Sequence, residues 1–237
     1  MRVSDEIKNS SFMSLVDNPD QVVFLDTNFF IPPDRSELTG MRLEFSRFES
    51  FKEMWLDPLL SEFRSISIHE SVYAEFVDTN VKRFADDNIK KAPSRLKVYY
   101  DSDLNEKEKG LMDAFIDKLA IHSGYDPGKD NAKDRGEILS LSYMAAKGFL
   151  YFAAKDDLPI RLITDADKLE TGLVDMGIIQ MYELIYYLYK KGRYDNKRLR
   201  GLYKYLYYLT DREKRQNPDW GTFIQKMDEL YGELLSQ

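Results

Sequence analysis

The chemistry open to this chain rests on its carboxylates. Asp26, Glu75, Glu137, Asp165 and Asp167 each fall at the end of a predicted strand or within the first turns of a predicted helix, and Asp134 stands just ahead of Glu137. Taken singly, each has an ordinary structural reading: a strand-end aspartate forms turns or caps helices, and an acidic residue in a first helical turn complements the helix dipole. Taken together they face a common problem. Carboxylates that converge without basic partners repel one another, and their pKa values rise unless a cation neutralises them. One or two divalent cations resolve that repulsion. Such ions also activate a water and stabilise the charge that builds on a phosphate during in-line displacement.

Four elements must position this set. Val22-Val23-Phe24-Leu25 is an apolar run that stops at Asp26, as in a strand buried on both faces of a parallel sheet. Ser65-Ile66-Ser67-Ile68 reads as a second strand, and a helix from His69 to about Arg83 carries Glu75. Asp134-Arg135-Gly136-Glu137 opens a helix with Ile138, Leu141 and Met144 at helical spacing. Ile160-Arg161-Leu162-Ile163 reads as a third strand, ending in Thr164-Asp165-Ala166-Asp167. Strands alternating with helices predict an α/β fold with a parallel sheet, in which ligands bind beyond the carboxyl ends of the strands.

The remaining stretches read as mainly helical over Met41 to Phe63 with a break near Pro58, a capped helix from Asn105, a helix from Ile178 to Lys190, and two more over Asn196 to Leu209 and Trp220 to Leu235. The resulting division is an N-terminal lead (1–20), an α/β domain (21–180) and a helical C-terminal extension (181–237).

Composition narrows the chemistry. The 237 residues include no cysteine and two histidines, His69 and His122. That excludes disulfides, thiolate zinc sites and cysteine nucleophiles, and leaves oxygen ligands that favour hard cations such as Mg2+ or Mn2+. The N-terminus lacks the features of a signal or transit peptide, and no apolar run reaches membrane-spanning length, so a cytoplasmic protein without a membrane partner is expected. The net charge of −7 excludes a uniformly basic surface but not a local basic patch.

In order, these segments resemble the four acidic motifs of PIN-domain ribonucleases. Val22 to Asn28 resembles the opening strand that ends in Asp-Thr-Asn, and Ile68 to Phe76 the helix start leading to a Glu. Gly136 to Ser142 resembles the third acidic helix start, and Leu162 to Asp167 the strand that ends in Thr and aspartate. The resemblance spans roughly residues 21–180. It implies a Rossmann-like three-layer core, Mg2+ or Mn2+ at the cluster, and hydrolysis of RNA phosphodiesters. Asp26, Glu75, Glu137 and Asp165 would be catalytic metal ligands, with Asp167 as an alternative to Asp165. Thr27, Asn28, Thr164 and Asp134 would brace the set. Many small bacterial members are toxins neutralised by an antitoxin, so an antitoxin, another protein partner or a homo-oligomer is a further expectation.

An RNA backbone needs a basic approach. The segment with Lys190, Lys191, Arg193, Lys197, Arg198 and Arg200 is one, with interleaved tyrosines able to stack bases. Leucines at helical spacing offer the competing reading of those tyrosines as a packing face. Other identities fit less well. A haloacid-dehalogenase-like phosphatase would have Asp where Asn28 stands, and a dinucleotide-binding turn would have glycines between Asp26 and Pro33. A catalytically inactive PIN-like scaffold that binds RNA or a protein partner is the non-enzymatic alternative.

Overall fold

The computed structural model describes residues 2–4, 6–35 and 44–236, with the backbone alone at Ser236. Met1 and Asp5 of the lead, Met41 to Leu43 of the expected helical stretch, and Gln237 lie outside the described residues. The fold is α/β. Five parallel strands, flanked by helices, are ordered β3-β2-β1-β4-β5: β1 is Val23–Leu25, β2 Ile66–His69, β3 Lys97–Tyr99, β4 Tyr151–Ala154 and β5 Gly177–Gln180. Central β1 pairs on one side with β2 (Val23 opposite Ile66) and on the other with β4 (Phe24 opposite Phe152). All residues of β1 and β2 are buried; β1 is apolar throughout, whereas β2 buries two polar residues, Ser67 and His69, each with a hydrogen-bond partner.

The order places the switch in winding direction between β1 and β4. The chain steps outward from β1 to β2 and β3, then returns to the other side of β1 for β4. The crevice beyond the carboxyl ends of those two strands is where open α/β sheets bind ligands.

Two compact units divide the chain: residues 20–30 with 64–178, and residues 1–19 with 31–63 and 179–237. In the first, Phe24 packs against Tyr99 and Phe149, with ring centroids 5.2 and 5.0 Å away. Leu141, Phe152 and Leu162 belong to the same buried cluster. In the second, Met181 to Leu188 are all buried along the helix Met181–Lys190, and Tyr203 stacks on Phe223 at 4.4 Å. Among the described residues no helix is long and apolar enough to cross a membrane.

Several elements differ from the sequence reading. Ile160 to Ile163 is not a strand; it lies in the helix Asp157–Thr164, where Pro159, Leu162 and Ile163 are buried while Arg161 and Thr164 are exposed. That spacing is helical, and Pro159 occupies the first turn, where its missing N–H costs nothing. The strand before it is β4, whose Ala153 and Ala154 carry little β-propensity. The helix expected from His69 to Arg83 is two, Glu70–Ala74 and Thr79–Ile89, with Asp78 capping the second through the N–H groups of Asn80 and Val81. No break falls at Pro58: a π-turn over Lys52–Leu56 leads directly into the helix Asp57–Glu62. Finally, Ile178 begins no helix, because β5 runs to Gln180.

Candidate metal centre

Asp26 follows β1 directly. Its backbone N–H donates to the Ala153 carbonyl (3.1 Å), continuing the pairing with β4. Its side chain is 1% exposed. One carboxylate oxygen accepts from the Thr27 N–H (2.7 Å), the other from the Asn28 amide (3.1 Å). The same Asn28 amide nitrogen donates to Asp156 at 2.7 Å. Asn28 thus ties the carboxylate at the end of β1 to the one just beyond β4.

Asp156 is the residue the sequence reading missed. It stands at the N-cap position of the helix Asp157–Thr164, yet its side chain caps no N–H of that helix. With Asp26 and Glu137 it forms a trio whose ligand oxygens all lie within 4.8 Å of one another. Glu137 reaches the trio from the first turn of the helix Arg135–Lys147, so two of its members follow β1 and β4 and the third comes from the helix that leads into β4. A signal for Asp156 exists in the sequence. Tyr151-Phe152-Ala153-Ala154 is a short apolar run, and Asp156-Asp157-Leu158-Pro159 is a helix start.

Glu75 adjoins the trio. Thr27 Oγ1 donates to Glu75 Oε2. The other Glu75 oxygen lies against the Cα of Gly136, where a Cβ would come within 2.3 Å of it. Gly136 therefore leaves the room that Glu75 occupies beside Glu137.

Asp165 and Asp167 are not in this group. Asp165 is the C-cap of Asp157–Thr164, donating its N–H to the Arg161 carbonyl (3.0 Å), and Asp167 is an exposed residue of the helix Ala166–Leu169. The exposed Thr164 hydroxyl donates to the Ile160 carbonyl one turn back (2.8 Å), an ordinary helix back-bond. Asp134 sits in left-handed backbone (φ 57°) and accepts from the Gly124 N–H at 2.6 Å. The letters Thr-Asp-Ala-Asp resemble the expected motif, with the aspartates one and three residues after the Thr rather than two, but they lie in two helices and the cap between them and not at a strand end.

The electrostatics follow from burial. Desolvation pushes the Asp26 carboxyl up to about 6, against the Asn28 hydrogen bond, and the Asp156 and Glu75 charges push the same way. Desolvation, then the charge of Asp26, raises Glu137 to about 7. Among the described residues no Lys, Arg or His makes an ion pair with Asp26, Glu75, Glu137 or Asp156. Arg135 feels the Glu75 charge, but its guanidinium bonds Asp130 (Nε to Oδ1, 2.6 Å). Oxygen-only donors with excess negative charge are the donor set of a hard divalent cation.

A second group with ligand-type atoms, His69, Glu70 and Asp101, is satisfied internally. The buried His69 ring contacts Ser71 Oγ through Nδ1 (2.8 Å) and Asp101 through Nε2 (3.0 Å), while Glu70 accepts the Asp101 N–H (2.7 Å). These bonds fasten the helix Glu70–Ala74 to the segment after β3.

The C-terminal cations are largely engaged. Lys190 pairs with Asp228 (2.9 Å), Arg193 with Glu62, and Arg198 with Glu44 and Glu53 (both 3.4 Å). Lys191 lies over the Tyr187 ring, 4.7 Å from its centroid. Tyr203, Tyr205 and Tyr207 are buried, so they form a packing face and are closed to base stacking; Lys197 and Arg200 are exposed. Compared with protein-family models, curated proteins and solved structures, the chain matches none.

Proposed function

We propose that this chain is a metal-dependent nuclease that hydrolyses RNA phosphodiester bonds with Mg2+ or Mn2+ held by Asp26, Glu137 and Asp156, and with Glu75 completing the site. The observation that carries this reading is the buried Asp26 carboxylate facing two others at the sheet's switch point, with none of the three in a salt bridge among the described residues. Bound cations supply Lewis-acid activation of water and stabilise charge on the phosphate. Asp26 anchors the site, Asn28 holds the Asp26 and Asp156 carboxylates in register, and Thr27 fixes Glu75. The choice of RNA among phosphodiesters rests on the motif resemblance.

Asp156 replaces Asp165 in this assignment, and cleavage of a single-stranded RNA in Mn2+ separates the two. Asp156→Asn should lower the cleavage rate by roughly 100-fold or more, with Asp165→Asn close to wild type. The reverse pattern would sink the assignment.

A further inference from the structure

A cleft of about 460 Å³ adjoins the trio. Its lining includes Asp157, the neighbour of Asp156 in the chain, and Asp134, whose charge contributes to the raised Glu137 pKa. Two cations line it as well, Lys133 and Arg161. Neither makes an ion pair among the described residues, in contrast to Arg193 and Arg198 of the C-terminal segment.

Both are held where they stand. The Lys133 stem lies flat against Gly124, where a Cβ would come within 2.5 Å of Lys133 Cδ. The Gly124 N–H in turn bonds Asp134, the residue after Lys133. Arg161 donates one Nη2 bond to the His122 carbonyl (3.0 Å), and His122 Nε2 bonds the Leu169 carbonyl (3.0 Å). That single tether leaves most of the guanidinium fork open. The acidic lining is partly accounted for: Asp134 accepts from Gly124, and Asp157 sits in the first turn of its helix, where negative charge is favoured.

We infer that this cleft is a backbone-phosphate subsite, in which Arg161 and Lys133 grip a phosphate of the nucleic-acid strand next to the one cut at the trio. An acidic metal centre by itself repels a polyanion, so the strand needs cations beside it. A guanidinium with a free fork and a pre-aligned ammonium match phosphate oxygens by charge and hydrogen bonding. The inference rests on the nuclease reading for its substrate class, and the two can fail separately.

The test measures binding of a labelled single-stranded RNA in EDTA, where no divalent cation is present to activate water and the strand stays intact, with Mn2+ binding followed separately by calorimetry. Both side chains are exposed, so the double variant Lys133→Ala/Arg161→Ala should fold. It should bind RNA about 10- to 100-fold more weakly, with the salt-dependence slope reduced by about 2, and bind Mn2+ as the wild type does. Lys197→Ala/Arg200→Ala removes the same charge elsewhere and should change RNA affinity less than about twofold. Wild-type RNA affinity and slope in the first variant overturn the subsite and leave the metal reading standing, as does failure of the wild type to bind RNA. A wild type that binds no Mn2+, yet whose RNA binding depends on the two cations, overturns the metal reading and keeps the subsite.

Discussion

Asp26 and Glu183 are both buried carboxylates with raised pKa values, and their surroundings are opposite. Glu183, 1% exposed in the helix Met181–Lys190, is pushed up to about 8 by desolvation. Around it stand donors: the Asn9 amide (2.9 Å), the Gln180 N–H (2.8 Å) and the Tyr231 hydroxyl. No other carboxylate contributes to its shift. Asp26 also has two donors, yet Asp156 and Glu75 push its pKa upward and Glu137 completes the trio. Burial of a lone acid among donors is a structural device, in which a protonated carboxyl links the N-terminal segment to a helix start. Burial of one acid among others leaves a repulsion that a bound cation would relieve. A raised carboxylate pKa alone therefore does not mark a site; the sign of the neighbouring charges does.

The comparison is sharpest in metal binding. Glu137→Gln should weaken Mn2+ binding by about 100-fold and Glu183→Gln should leave it unchanged, as measured by calorimetry. Equal losses in the two variants would erase the distinction. In stability the roles reverse. Glu183→Ala strips partners from buried donors and should cost about 2 kcal/mol in chemical denaturation, with Glu183→Gln much milder at neutral pH. Glu183 also sets a pH dependence. Its folded-state pKa lies above the ordinary 4.5, so the folded chain holds the proton more tightly. Its contribution is full below about pH 4.5, declines as pH rises to about 8, and is flat beyond. Asp26 and Glu137 contribute with the same sign over narrower windows ending near 6 and 7. Glu183→Gln should flatten the upper part of that profile, and a decline to pH 8 that persists in the variant would assign it elsewhere. The smallest effect is expected at Gly136. Gly136→Ala gains up to about 1 kcal/mol of helix propensity but displaces Glu75, so Mn2+ affinity should fall about tenfold while the thermal midpoint moves little. Unchanged affinity would remove Glu75 from the site.

How much of this was legible in the sequence depends on element length and composition. The run before Asp26 was readable because a buried parallel strand is apolar throughout. The helix carrying Glu137 was readable because Ile138, Leu141 and Met144 repeat at helical spacing. β3 is only Lys97–Tyr99 with an exposed lysine, and β4 ends in two alanines, so neither stands out by periodicity. β5 merged with the tyrosine-rich helix because Ile178 and Ile179 extend its apolar pattern, although Gln180 and Glu183 form the capping box that marks the true helix start. The segment leading to Asp165 was read as a strand for a related reason. Ile160-Arg161-Leu162-Ile163 is rich in strand formers, and the decisive cue was Pro159 in a first helical turn. Convergence of Asp156 on Asp26 depends on β1–β4 pairing, which no local pattern encodes.

The central claim is that Asp26, Glu137 and Asp156 hold a divalent cation. Calorimetric titration of Mn2+ into the wild type and Asp26→Asn tests it most directly, with thermal melting to confirm folding. The account predicts saturable binding by the wild type, and loss of that binding in a variant whose midpoint is unchanged or higher, because a buried charge has been removed. A wild type that binds no Mn2+, or an Asp26→Asn variant that binds it equally well, would contradict the account.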